Sequence, residues 1–92
     1  MIHTMTMQYI NIDDICDQFG KQFSDYSFTD CVENGSYIFL ETTDDFIEEL
    51  QEDIEYFVGT NRADRYQNTL ELVRYLRTEL NIDEGIAIYV YW

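Results

Sequence analysis

Apolar and polar residues alternate near both ends of the 92-residue chain. In residues 4–10, Met5, Met7 and Tyr9 alternate with threonine and glutamine, and in residues 85–92 every second residue is Ile, Val or Trp. Alternation with a period of two is typical of a strand with one buried face. We therefore predict a first strand over residues 4–10 and a last strand over residues 85–92, which closes the sheet.

Three segments between these strands repeat apolar residues at steps of three and four, the pattern of an amphipathic helix. The first follows Asn11 and ends at Gly20, the second follows a pair of threonines and ends at Gly59, and the third covers about residues 61–80. The residues predicted to face the core are Ile12, Ile15, Cys16 and Phe19 in the first helix, Phe46, Ile47, Leu50, Ile54, Phe57 and Val58 in the second, and Tyr66, Leu70, Val73, Leu76 and Leu80 in the third.

A β-hairpin is predicted between the first and second helices. Residues 27–33 and 36–41 flank Asn34-Gly35, and this dipeptide tolerates the positive φ angles of a type I′ turn. The order β-α-β-β-α-α-β then predicts an α+β fold, a small and mainly antiparallel sheet covered by helices on one face. The chain has no proline, and we find no linker or repeat. We expect a single domain over residues 1–92.

The net charge is the property that narrows the function. The chain has 19 acidic and 5 basic residues and a formal net charge of −14. Fourteen of the acidic residues and one basic residue fall in the first 60 positions. Such a charge repels nucleic acids and anionic membranes, whereas it attracts basic proteins. We therefore expect a basic protein partner, no direct binding of nucleic acid and no membrane partner.

The acidic residues are densest in the second predicted helix. Eight carboxylates fall within residues 41–55, without a basic residue among them. The predicted partner-binding residues there are Asp44, Asp45, Glu48, Glu49, Glu52, Asp53 and Glu55, with Asp44, Glu48, Glu52 and Glu55 in one row and Asp45, Glu49 and Asp53 in the next. Residues four apart rise about 6 Å along a helix, close to the spacing of roughly 7 Å between successive phosphates of one DNA strand. The alternative is a face that serves solubility alone.

A second acidic group lies in the first helix. Asp13, Asp14 and Asp17 occupy its polar side and extend the predicted binding surface. For Asp13 and Asp14 a role in stabilising the helix dipole is an equal alternative. Tyr56, beside Glu55, is a candidate aromatic anchor for a partner, and Tyr37 on the hairpin is another, although packing is the alternative for both.

The sequence offers no catalytic or metal-binding motif. The only histidine is His3, next to the N-terminus, and no phosphate-binding loop or metal-ligand spacing occurs. Cys16 and Cys31 lack a redox spacing and are interpreted as two thiols of the core, with a disulfide between them as the alternative. We therefore expect a protein that is not an enzyme and uses no metal or cofactor. We also expect it to be cytoplasmic, since the N-terminus lacks the pattern of a secretion signal.

The layout resembles that of the anti-CRISPR proteins, which belong to the small acidic DNA-mimic inhibitors of phages and mobile elements. The resemblance covers Asn11-Ile-Asp-Asp-Ile, then Val32-Glu-Asn-Gly-Ser-Tyr-Ile, the acidic helix and Arg77-Thr-Glu-Leu-Asn81. It implies a protein in the cytoplasm of a host bacterium whose carboxylates occupy the DNA site of a basic nucleic-acid-binding protein, such as a CRISPR effector, a restriction enzyme or another nuclease.

Two other functions fit the same sequence. An immunity protein or antitoxin that neutralises a basic nuclease toxin would use the same charges on a different partner. A structural or assembly protein would instead pair its C-terminal segment, as an exposed edge strand, with another chain.

Overall fold

The computed structural model describes residues 9–28, 32–34 and 37–90 of the chain. In that part, four strands and three helices follow one another in the predicted order, and the fold is α+β. The bounds are β1 Tyr9–Asn11, α1 Ile12–Phe19, β2 Val32–Asn34, β3 Tyr37–Glu41, α2 Asp44–Tyr56, α3 Asn61–Glu79 and β4 Gly85–Tyr89, with a short 3₁₀ helix, Phe23–Asp25, between α1 and β2.

The sheet is mixed and has the strand order β1-β4-β3-β2. β4 pairs parallel with β1 and antiparallel with β3, and β3 pairs antiparallel with β2. The alternative in which the C-terminal segment acts as an exposed edge strand does not fit this order, because residues 87–89 have a neighbouring strand on both sides. The edges of the described sheet are β1 and β2.

One face of the sheet carries the core. In the register of β3 and β4, Ile38 lies opposite Ile88 and Leu40 lies opposite Ile86, and all four side chains are buried. They form one hydrophobic cluster with residues from all three helices, such as Ile15, Leu50 and Val73. The helices therefore cover this face, as predicted.

The first strand and helix join at Asn11. Its side chain accepts a hydrogen bond from the N–H of Asp13 at 2.9 Å, which satisfies one of the free donors at the start of α1. Gly20 ends the helix in the left-handed conformation with φ of 62°, which glycine adopts without strain. The predicted strand began at residue 4, but residues 4–8 lie outside the described part.

The two strands of the predicted hairpin pair with each other. Asn34 was predicted for the turn, but it belongs to β2 and pairs with Tyr37. Residues 35 and 36, where the rest of the predicted turn falls, lie outside the described part. The first strand of the hairpin, β2, does not begin at residue 27 as predicted, since residues 27 and 28 are not in a strand.

Two residues predicted for the core are exposed instead. Val58 follows the end of α2, where residues 57–59 form a turn, and it is 76% exposed. Leu80 directly follows α3 and is 40% exposed, and the next residue, Asn81, takes a left-handed φ of 56°. This turn brings Ile82 into the core in its place, with the N–H of Ile82 donating to the carbonyl of Leu76.

Candidate functional site

Helix α2 begins at Asp44 because Thr43 caps it. The Thr43 hydroxyl accepts a hydrogen bond from the N–H of Phe46 at 3.2 Å and donates its own hydrogen to the carboxylate of Glu41. Asp44 and Asp45 follow in the first turn, where negative charge is favourable at the positive end of the helix dipole. The start of the acidic helix thus has a complete local explanation.

The carboxylates of α2 collect on the side away from the core. Phe46 and Leu50 are buried, and since each residue turns the helix by about 100°, the opposite side faces solvent. We call the six exposed carboxylates there the acidic face: Asp44, Asp45, Glu48, Glu49, Glu52 and Glu55. From its first to its last residue this face extends about 16 Å along the axis.

Asp53 departs from the predicted arrangement. It was predicted to lie in a row with Asp45 and Glu49, but its side chain is half-buried, on the margin of the acidic face. The physical reason is the helical angle, which puts position 53 within about 20° of the direction of Phe46. Six of the seven predicted binding residues of α2 therefore share the exposed surface.

Arg77 of α3 neutralises one end of the acidic face. Its guanidinium lies 2.7 Å from a carboxylate oxygen of Asp44 and donates a hydrogen bond of 2.8 Å to the carbonyl of Thr42. This is the one ion pair within 4 Å among the described residues. Because Asp44 is 87% exposed, the pair adds little stability, but it removes Asp44 from the set of uncompensated charges.

An acidic neighbour was one alternative for Arg77, but its identity as Asp44 was not predicted. A usable signal was present, since a short turn between two helices makes them antiparallel and brings the end of the second beside the start of the first.

The charges at the other end of α2 lack a comparable explanation. Glu52, Asp53 and Glu55 lie near the C-terminus of the helix, where the dipole is negative, and the last turn has no basic residue. Carboxylates one turn apart also repel by a few tenths of a kcal/mol per pair. The acidic face therefore continues into a region where negative charge opposes helix stability.

The aspartates of α1 form a separate group. Asp13, Asp14 and Asp17 are all exposed, as predicted, but they lie on a different helix from the acidic face. α3 packs against both helices, with the ring of Tyr75 edge-on to that of Phe19 at 5.2 Å on the α1 side.

Asp14 lines an open cleft of about 580 Å³ together with Ile10, Asn11, Tyr37 and Tyr89. The rings of Tyr37 and Tyr89 lie opposite each other on β3 and β4, with centroids 5.4 Å apart. Packing against Tyr89 within the sheet thus explains much of the placement of the Tyr37 side chain, in line with the packing alternative.

The described residues contain one cysteine, Cys16, which carries a free, half-buried thiol. Burial raises the pKa of this thiol, and the negative charges of Asp13 and Asp17 raise it further. A raised pKa disfavours the thiolate, the reactive form. Cys31 and His3 lie outside the described residues. Within residues 9–28, 32–34 and 37–90, no three His, Cys, Asp or Glu side chains are grouped so that they could hold a metal ion.

None of the helices in the described part of the chain combines the length and the apolar character needed to cross a membrane. The chain matches no protein-family model, no curated protein and no solved structure. Its function is therefore inferred from the placement and charge of its own side chains.

Proposed function

We propose that this protein is an acidic inhibitor that binds a basic nucleic-acid-binding protein in the cytoplasm of a bacterium and blocks its DNA site by phosphate mimicry. A CRISPR effector is the partner that the layout of the sequence favours. The partner is held by protein-protein contacts, without direct binding of nucleic acid, a membrane or a cofactor.

The observation that carries this proposal is the uncompensated part of the acidic face. Arg77 pairs with Asp44, and the first-turn position of Asp45 suits the helix dipole. Glu48, Glu49, Glu52 and Glu55 have neither explanation, and all four are exposed on one side of α2. Charges that oppose helix stability and point to solvent are suited to a partner that supplies the missing cations.

The mechanism is competition for the same cationic groups. Arginine and lysine side chains that hold successive phosphates meet carboxylates at a similar spacing, about 6 Å per four residues of helix. Each arginine can bind a carboxylate in the same bidentate geometry that it uses for a phosphate. The field of a chain with a net charge of −14 also accelerates the encounter with a basic protein.

The two alternative functions, an immunity protein and an assembly protein, are supported to different degrees by the described residues. An immunity protein against a basic nuclease toxin would use the same acidic face, and no separate feature of the described residues favours it. An assembly protein acting through a C-terminal edge strand loses its premise, since β4 lies between β1 and β3. We therefore retain inhibition of a nucleic-acid-binding protein as the proposal.

The test compares two variants of equal net charge. The first replaces Glu48, Glu49, Glu52 and Glu55 by their amides, and the control replaces Glu71, Glu79, Asp83 and Glu84, which are exposed outside α2, in the same way. Each variant and the parent are immobilised and used to capture proteins from a bacterial lysate at low and high salt. A captured protein is then purified, and labelled duplex DNA is competed against each variant for binding to it.

We expect the parent and the control to capture the same nucleic-acid-binding protein at low salt and to displace its DNA, whereas the α2 variant does neither. Polylysine provides the comparison for charge alone, and both variants should bind it equally. Equal capture by the two variants, or capture of no nucleic-acid-binding protein by the parent, would contradict the proposal and assign the charge to solubility.

A further inference from the structure

The two most exposed large apolar residues of the described chain, Tyr56 and Val58, lie next to the C-terminal end of the acidic face. Tyr56 is 81% and Val58 76% exposed, whereas the other exposed ones, Phe23, Leu80 and Tyr37, are between 38% and 41% exposed. Apolar side chains this open to water contribute nothing to the core. Tyrosine is also among the residues that most often dominate binding energy at protein interfaces.

Tyr56 continues a line of carboxylates. Asp45, Glu49, Glu52 and Tyr56 follow at steps of four, three and four, so they lie along one side of α2. Residue 56 thus lies about 6 Å beyond residue 52 along the helix axis, on the same side of the helix. An aromatic ring next to a row of anions has the local chemistry of a nucleobase beside its phosphates.

The ring of Tyr56 is supported from below. It meets the ring of Phe57 edge-on at 4.8 Å, and Phe57 packs on the core and on Tyr66, whose ring is 5.8 Å away. The guanidinium carbon of Arg62 lies 4.7 Å from the centre of the Phe57 ring and restrains it further. A ring held in this way loses less conformational entropy when a partner covers it.

We propose that Tyr56 takes the place of a nucleobase on the partner, while the acidic face takes the place of the phosphates. This inference rests on the proposed function and makes its partner more specific. The partner is a protein whose basic groove contains an apolar platform for stacking unpaired bases, as in proteins that bind single strands. A groove that contacts only the outside of a duplex offers no apolar platform on which the ring could stack.

Charge decides between this partner and a second copy of the chain. The apolar residues Tyr56 and Val58 adjoin Glu52 and Glu55, so a second copy would bring like charges together around them. A basic groove instead pairs with the carboxylates and leaves the ring to its apolar platform.

The test uses single substitutions at Tyr56 and one aromatic control. The parent, Tyr56→Ala, Tyr56→Phe and Phe23→Ala are immobilised and exposed to the same bacterial lysate, and the retained nucleic-acid-binding proteins are quantified by mass spectrometry. Retained protein is then eluted with an oligothymidylate single strand or with a duplex of equal length. Because Tyr56 lies 81% exposed, its substitution should leave the fold intact, which circular dichroism checks.

We expect Tyr56→Ala to retain at least about ten-fold less protein than the parent, a loss typical of one missing stacking contact. Tyr56→Phe and Phe23→Ala should stay within about two-fold of the parent, since each keeps the ring at position 56. The single strand should elute the protein at a lower concentration than the duplex.

Equal retention by Tyr56→Ala, while the α2 amide variant retains nothing, would overturn this inference and leave the proposed function standing. Elution by the duplex at the lower concentration would overturn it in the same way. If the parent retains no nucleic-acid-binding protein, both proposals fail together.

Discussion

The hydroxyl groups of two buried threonines, Thr69 and Thr42, differ in their hydrogen bonding. Thr69 Oγ1 accepts from the N–H of Ser27 at 2.8 Å and lies within hydrogen-bond distance of the carbonyls of Ser27 and Arg65. Thr42 uses its backbone N–H and carbonyl toward Glu84 and Arg77, but its buried hydroxyl has no hydrogen-bond partner among the residues that the structure describes. An unsatisfied buried hydroxyl destabilises the folded state.

Replacement by valine, which has the same shape, should therefore act in opposite directions at these two sites. Thr42→Val should raise the free energy of unfolding by about 1 kcal/mol, because it removes an unsatisfied group. Thr69→Val should lower it by about 1–3 kcal/mol, because the N–H of Ser27 loses this acceptor. Urea denaturation of both variants measures the difference, and a loss of stability in both would contradict the role assigned to Thr42.

Tyr26 makes stability depend on alkaline pH. Burial raises the pKa of its hydroxyl to about 12, with further contributions from the charges of Cys16, Asp25 and Glu71. In the unfolded chain a tyrosine has a pKa of about 10. The folded protein thus binds the proton more tightly, so this contribution is present in full below pH 10 and is lost as the pH rises toward 12.

We expect the free energy of unfolding to fall between pH 10 and 12 and to fall less steeply in Tyr26→Phe. Denaturation in urea at intervals of pH measures both slopes. The two proteins differ only at residue 26, so the contributions of all other groups cancel in the comparison. Equal slopes would show that Tyr26 does not titrate differently in the folded state.

At the scale of elements, β3 and β4 meet at a position where only glycine fits. A Cβ atom built on Gly85 would clash with the Cζ atom of Phe39 on the neighbouring strand. The phenyl ring therefore covers the backbone of Gly85, in the way that aromatic side chains shield glycines in sheets. Glycine here permits close approach of a ring, although its backbone angles are ordinary.

Gly85→Ala should lower the free energy of unfolding by about 1–3 kcal/mol, since the ring of Phe39 must move. In the background of Phe39→Ala the same substitution should cost much less, because the clash is absent. Thermal or urea denaturation of the two single variants and the double variant gives the coupling between these residues. Additive effects would contradict the contact.

The elements themselves were predictable because their signals are local. Asn11 and Thr43 cap helices where the sequence indicates, and Gly20 ends the first of them. The position of β4 inside the sheet was not predictable, since strand pairing depends on contacts between residues far apart in the chain. The exchange of Leu80 for Ile82 in the core likewise depends on the left-handed turn at Asn81, which periodicity does not detect.

The candidate site was predictable to a similar degree. Helical spacing alone brought the carboxylates of α2 together, and only Asp53 falls outside the exposed face. The pairing of Asp44 with Arg77 required the packing of α2 on α3. The degree of exposure of Tyr56 also required the structure, because tyrosines in helices serve cores as often as surfaces.

At the scale of the whole molecule, the net charge of −14 makes the protein repel itself. Salt screens this repulsion, and we expect the melting temperature to rise by a few degrees between about 20 mM and 500 mM sodium chloride. Calorimetry or circular dichroism measures the change. The α2 amide variant provides the control and should respond less. A melting temperature that falls with salt would contradict an uncompensated acidic face.

The strand order also determines when the protein can fold during synthesis. β4 is the last of the described elements to leave the ribosome, and it lies between β1 and β3. Until residues 85–89 emerge, β1 lacks its neighbour among the described strands, and the buried face of β3 lacks its partners on β4. The nascent chain therefore remains without a complete sheet until β4 has been made, and chaperones can bind its exposed apolar residues up to that point.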